Sequence, residues 1–216
     1  MERHDAPLMA PLVAVSVGEP APLGTHRGRP VTSGFRKRPA TEAVLRLTAL
    51  NLAGDRQADL SVHGGPEKAV YAYSADHFFG WRAQLGVEVG PAYFGENLTV
   101  SGWTETDARI GDVWAWGDAR LQVCQPRWPC YKLAIASGLP KIGKLMLANG
   151  WTGWYFRVLQ VGDVPVAGPI EVVERGPCDC TVHDAHLAML PNADPALVAR
   201  IAANPALAAS WRDGLR

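Results

Sequence analysis

Glycine and proline interrupt this chain so often that long regular elements are ruled out: 22 glycines and 17 prolines occupy 39 of the 216 positions. They follow no collagen-like period, so they punctuate turns. With 48% of residues hydrophobic and 19% charged, the chain can bury a core, and the turns imply that short strands build much of it. Leu12 to Val17, Ala43 to Leu50, Ala69 to Tyr73, Trp154 to Val161 and Ile170 to Val173 are runs of strand type. Asp112 to Trp116 and Ala119 to Cys124 flank Gly117-Asp118, which suits a two-residue II′ hairpin turn. The stretch Gly18 to Arg38 reads as a loop ending in the cations of Arg36-Lys37-Arg38-Pro39.

Helical signals are fewer. Ser74 caps a helix with Phe78, Trp81 and Leu85 on one face and Gly86 at its end; Ile142, Leu145 and Met146 mark another that stops at Gly150. After about residue 177 the texture becomes alanine-rich. Thr181 with Asp184 resembles a capping box, Asp194-Pro195 and Asn204-Pro205 are helix starts, and Leu197/Ile201 and Leu207/Trp211 are i, i+4 pairs. The expected architecture is a mainly β (α+β) domain at 1–176 followed by a small three-helix domain at 177–216.

Lys+Arg 21 balances Asp+Glu 21, which argues against duplex nucleic acid or an anionic membrane as partner. Any anion site must be local. No apolar run reaches the roughly eighteen residues of a membrane span. The best leader candidate, Leu8 to Val17, is broken by Pro11 and preceded by Glu2-Arg3-His4-Asp5, so a cytoplasmic protein with Cys124, Cys130, Cys178 and Cys180 as thiols is expected.

The segment Gln125-Pro126-Arg127-Trp128-Pro129-Cys130-Tyr131-Lys132-Leu133 carries the most chemistry. Each proline fixes its own φ and pushes the residue before it toward extended geometry, which gives Cys130 a rigid mount. Arg127 and Lys132 are cations that favour thiolate, the form that binds metals or attacks electrophiles. A buried, inert cysteine, the commonest fate of a free thiol, is the alternative for the segment taken alone. Cys124 has no adjacent cation and is read as structural. In His63-Gly64-Gly65-Pro66-Glu67-Lys68 paired glycines sit between an imidazole and an ammonium, a loop suited to an anion. Phe94-Gly95-Glu96-Asn97-Leu98 places a carboxylate and an amide after a turn glycine. Cys178, Cys180, His183 and His186 are too crowded for an ordinary zinc site. Trp103, Trp114 and Trp116 are candidates for a homodimer patch, although a core role fits most tryptophans better.

Together, Ser33-Gly34-Phe35-Arg36-Lys37-Arg38-Pro39, Gly54-Asp55-Arg56-Gln57-Ala58-Asp59, Val62-His63-Gly64-Gly65-Pro66-Glu67-Lys68-Ala69-Val70, Phe94-Gly95-Glu96-Asn97-Leu98, Ile110-Gly111-Asp112 and the Gln125 to Leu133 segment resemble the MOSC family, named for the C-terminal domain of molybdenum cofactor sulfurase. The resemblance is to the bacterial stand-alone subgroup. It implies a partly open β-barrel with peripheral helices and a three-helix appendage, binding the molybdenum cofactor, with Cys130 as metal ligand or sulfur carrier. By the same resemblance Lys37, His63, Lys68, Glu96, Asn97, Arg127 and Lys132 are cofactor-binding residues, and Cys130, His63 and Asp55 are catalytic. The leading expectation is a molybdenum enzyme, independent of pyridoxal phosphate, that reduces small N-hydroxylated compounds, R-NHOH to R-NH2, such as hydroxylaminopurine-type bases. No flavin, haem or iron–sulfur pattern is present in the sequence, so a separate electron-donating reductase is implied. The alternatives are a sulfur carrier using a Cys130 persulfide and a cofactor-binding or storage protein without turnover.

Overall fold

The computed structural model describes residues 9–58 and 64–215; His63 lies outside the described residues. In chain order it contains β1 (Met9–Val17), β2 (Ala21–His26), β3 (Arg29–Ser33), β4 (Arg38–Pro39), β5 (Val44–Leu47), β6 (Val70–Ser74), α1 (Phe78–Leu85), β7 (Leu98–Val100), β8 (Val113–Trp116) and β9 (Ala119–Pro126). There follow α2 (Tyr131–Ser137), α3 (Ile142–Asn149), β10 (Trp154–Gln160), β11 (Gly162–Pro165), β12 (Pro169–Glu174), α4 (Val182–Ala188), α5 (Pro195–Ala202) and α6 (Ala209–Gly214).

Seven strands form a barrel in the order β12-β8-β9-β10-β6-β7-β1, and β1 returns to β12. One strand serves both neighbours because its start, Met9 to Pro11, pairs with β12 while Leu12 to Val15 pairs with β7 across a bulge. Three residue pairs form the β1–β12 seam, so the barrel is closed only thinly there. The β6–β7 pair is parallel and needs a crossover, which α1 supplies; the other barrel pairs are antiparallel. Mainly β structure with peripheral helices is therefore what the chain adopts.

The hairpin turn between β8 and β9 falls at Gly117-Asp118 as expected, with Gly117 at φ 54° and Trp116 opposite Ala119. Ser74 accepts from the Asp76 N–H to start the helical run, and Gly86 ends α1. Trp114, Trp154 and Phe156 fill the barrel with edge-on ring contacts at 5.3–6.5 Å. Trp103, Trp114 and Trp116 are buried in this core, which removes them as a dimer patch. Val182, Ala185, Ile201 and Trp211 from the C-terminal helices, with Leu207 from the turn before α6, join the same cluster.

Four expectations need correction. The stretch 18–38 is not all loop: it holds the β2–β3 hairpin, whose turn residues Arg27 and Gly28 both have positive φ. Pro22 and Pro30 disguise these strands and are tolerated because the hairpin is a separate two-stranded sheet with free edges. The run at 43–50 is strand only over Val44–Leu47, since Thr48 and Asn51 close a hydrogen-bonded turn. Asn204-Pro205 starts no helix; the Asn204 side chain accepts from Ala206 and donates to the Ile110 carbonyl, and Ala208 N–H bonds Cys124 O, so α6 begins at Ala209. Cys178 and Cys180 are not thiols but a disulfide, joined where a turn brings their Cα atoms to 5.3 Å. No helix among the described residues is long and apolar enough to cross a membrane.

Candidate functional site

β9 ends at Pro126, and the following corner delivers Cys130 to the N-cap of α2 in extended geometry, φ −119° and ψ 170°. The Cys130 side chain makes no capping bond, and its free thiol is half-buried in a cleft. Lys37, Asp55, Lys68, Asn97, Arg127 and Lys132 border the same cleft. These residues span nearly a hundred positions of sequence, and the barrel brings them to one end.

The charges are arranged unevenly. Lys37 and Asp55 form a short buried ion pair, and Asp55 also accepts from the Gly18 N–H at 2.9 Å. Burial pulls the Lys37 ammonium below the ordinary lysine range, against the pull of Asp55. Arg127 is buried, donates a short hydrogen bond to the Phe94 carbonyl and lies over the rings of Tyr71 at 4.8 Å and Phe35 at 5.4 Å. Lys132 is only 7% exposed and has no hydrogen bond or ion pair among the described residues. No carboxylate among them pairs with Arg127 either. Buried cations without counter-charge are expensive, so the cleft is built to receive an anion.

Backbone geometry supports that reading. Gly34 borders the cleft where a Cβ would collide with the Arg56 carbonyl, so the wall demands glycine. The side-chain oxygen Oε1 of Gln57, also in the wall, is buried without a partner. The enclosed volume is about 100 Å³, below the roughly 300 Å³ at which small-molecule pockets usually begin. A space of this size suits the charged end of a larger ligand better than a whole small molecule.

Not every expected residue faces the cleft. The Glu96 carboxylate sits behind the wall, accepting from Ala92 N–H at 2.7 Å, Phe94 N–H at 3.1 Å and Thr99 Oγ1 at 3.0 Å, and burial holds its carboxyl above the usual range. Asn97 borders the cleft but spends its amide on Tyr71 N–H and the Ser16 carbonyl, tying β6 to β1. Glu67 accepts from Arg157 at 2.8 Å and from Ala209 N–H at 3.0 Å, which ties the glycine loop to β10 and α6. Cys124 is structural as expected: burial pushes its thiol up to about 12. Gln57, Phe35, Tyr71 and Tyr155 were missed as cleft residues; of these only Gln57 and Phe35 lie in motifs the sequence singled out. His77 and Glu105 form a buried pair at 2.7 Å that no sequence signal announced. Among the described residues no three His, Cys, Asp or Glu side chains are grouped to hold a metal ion, and Cys178 and Cys180 are joined to each other.

The fold and cleft together define a small β-barrel protein with a cationic, thiol-bearing site. Residues 59–171 match the MOSC domain model. The chain is 40% identical over 202 residues to the uncharacterized protein YflK of Bacillus subtilis (strain 168), covering 93% of this chain and 90% of that protein. It is 35% identical over 154 residues to a protein of Gibberella moniliformis (strain M3125 / FGSC 7600) named "Reductase", covering 68% of this chain and 27% of that protein. The crystal structure of YiiM from Geobacillus stearothermophilus superposes with a TM-score of 0.77 at 33% identity, covering 95% of this chain and 97% of that one. The chain belongs to the MOSC family.

Proposed function

We propose that this protein binds the molybdenum cofactor and reduces N-hydroxylated compounds by R-NHOH + 2 H⁺ + 2 e⁻ → R-NH2 + H2O. The observation that carries the reading is the pairing of a half-buried free thiol, Cys130, with two buried cations, Arg127 and Lys132, that lack a counter-charge. The donor set fits the cofactor: the cations suit its phosphate, and Cys130 offers a single thiolate where the pterin dithiolene brings the other sulfurs. Family membership and the relative named as a reductase support the same assignment.

Lys132, Arg127, Lys37 and Lys68 would hold the anionic end, and Cys130 would hold the metal. When bound, the cofactor supplies two-electron, oxygen-accepting chemistry. The buried Asp55–Lys37 pair in the cleft wall is assigned as a proton donor to the cleft. His63, next to the glycine loop, is assigned as a second acid. The two electrons come from a separate reductase.

The test is amine formation from an N-hydroxylated base by protein purified with its cofactor, with dithionite or an enzymatic donor. Turnover that disappears in Cys130→Ala supports the reading. Protein that holds metal and pterin but forms no amine is a cofactor store, and a persulfide on Cys130 in metal-free protein identifies a sulfur carrier.

A further inference from the structure

The Cys178–Cys180 disulfide lies outside the cleft, in the turn that joins the barrel to α4, and the chemistry assigned to the cleft does not use it. One residue, Asp179, separates the two cysteines, so the bond closes a very short loop and restrains the unfolded chain little. The two sulfurs are unlike. Cys180 is fully buried and its carbonyl accepts from Ile110 N–H at 2.8 Å, whereas Cys178 is half-buried at the edge of the core. We propose that the pair is a reversible dithiol–disulfide site reduced by an external dithiol, with Cys178 as the exchanging sulfur and Asn204 as the residue that positions and stabilises its thiolate. This site is independent of the cofactor reading.

Asn204 shows which form the site favours. It is buried; its Oδ1 accepts from Ala206 N–H at 2.9 Å, and its Nδ2 donates to the Ile110 carbonyl and to Cys178 Sγ, both at 3.2 Å. A disulfide sulfur is a weak acceptor for a buried N–H and a thiolate is a strong one, so this donor favours the reduced pair. Stabilising the reduced form is what makes a disulfide readily reducible. Asp179, the carboxylate between the cysteines, pairs with Arg109 at 2.7 Å, which limits its repulsion of a thiolate. In the reaction a thiolate of the dithiol attacks Cys178 Sγ, the bond to Cys180 breaks, and Cys180 leaves and takes up a proton. The second thiol of the reductant then attacks the mixed disulfide and releases Cys178, whose sulfur keeps the bond from Asn204. Two electrons pass to the pair, and the reductant leaves as its own disulfide. Asn204 bonds the barrel at Ile110 and the turn before α6 at Ala206, so the couple sits at the joint between barrel and C-terminal helices.

The experiment equilibrates the folded full-length protein in a glutathione buffer set to the poise of a reducing cytosol, with circular dichroism to follow the fold. Samples are trapped with acid, labelled with iodoacetamide in denaturant and mapped by peptide mass spectrometry, which separates the pair from Cys130. The expected result is that Cys178 and Cys180 are labelled in most molecules while the protein stays folded, and that excess oxidised glutathione closes the bond again. A pair that opens only on unfolding, or thiols that oxidised glutathione never closes, overturns the proposal. Oxidised glutathione is expected to add to Cys178 in Cys180→Ser roughly tenfold faster than to Cys180 in Cys178→Ser, and equal rates overturn the choice of exchanging sulfur. Asn204→Asp keeps the acceptor for Ala206 and removes the donor to Cys178, so it is expected to lower the reduced-to-oxidised ratio roughly tenfold. An unchanged ratio overturns the role given to Asn204. Where a variant fails to fold, the wild-type equilibrium alone decides.

Discussion

Lys37 and Asp55, eighteen residues apart in sequence, meet as a buried ion pair in the wall of the cleft, and the Gly18 N–H donates a further bond to the same carboxylate oxygen. Removing one partner of such a pair strands a charge in a poorly solvated place, which costs about 3–5 kcal/mol. Asp55→Ala is accordingly expected to destabilise the fold by about 3 kcal/mol or more. Adding Lys37→Met to that variant is expected to restore much of the loss, because the uncompensated ammonium is gone. Urea denaturation of the four proteins in the cycle measures the coupling.

Lys132 has the opposite signature. Its side chain is 7% exposed and its ammonium, which has no described partner, opens to the cleft, so an apolar side chain of similar length can replace it without stranding a charge. Lys132→Met is expected to leave the ligand-free protein at least as stable as wild type while abolishing the stabilisation that added phosphate is expected to give the wild type. A melting-temperature series with and without phosphate checks both halves. A destabilised Lys132→Met would mean that the residue serves the fold and not a ligand.

The two free cysteines differ in reactivity for a structural reason. Cys124 is buried in the barrel, its thiol pushed up to about 12 and shared between the Glu67 and Tyr155 carbonyls. Cys130 lies half-buried at the cleft. Native protein treated with iodoacetamide is expected to carry one label, on Cys130, by peptide mass spectrometry; reduction and unfolding expose the other three cysteines. Labelling of Cys124 in the folded protein would contradict its place in the core.

Glu96 gives a pH dependence of definite sign. Burial raises its folded-state pKa above the ordinary 4.5, so native protein holds a proton over a range in which the unfolded chain has lost it. Its contribution is therefore fully present below pH 4.5 and is lost as pH rises through the folded value. Stability measured by denaturant across pH 4 to 7 is expected to lose this falling component in Glu96→Gln. A wild-type-minus-variant difference that does not fall with rising pH would contradict the burial.

Local grammar was legible wherever one element carried its own signal. The Gly117-Asp118 hairpin, the Ser74 cap of the short turn that leads into α1, the Gly86 end of α1, and the Thr181–Asp184 capping box all follow from adjacent residues. The β2–β3 hairpin was hidden because its prolines argue against strand until one knows that its edges are free. Asn204-Pro205 misled because Asn204 does make the local cap-type bond, accepting from Ala206 N–H, but the turn does not propagate: Ala208 N–H bonds the Cys124 carbonyl instead. The cleft divides in the same way. Cys130, Arg127 and Lys132 share one stiff segment and could be picked out together, and the remaining cations came with the family motifs. Tyr71 and Tyr155, by contrast, enter only through the β6–β10 pairing that sets them side by side, ring centroids 5.0 Å apart. The His26–Tyr131 stack depends on a hairpin that sequence reasoning did not see.

The central claim is that Cys130 and the buried cations hold a molybdenum–pterin group, and metal analysis tests it most directly. Protein purified from a host that makes the cofactor is predicted to contain molybdenum and pterin near one equivalent each, with the metal lost in folded Cys130→Ala. Folded wild-type protein from such a host that contains neither metal nor pterin would contradict the account.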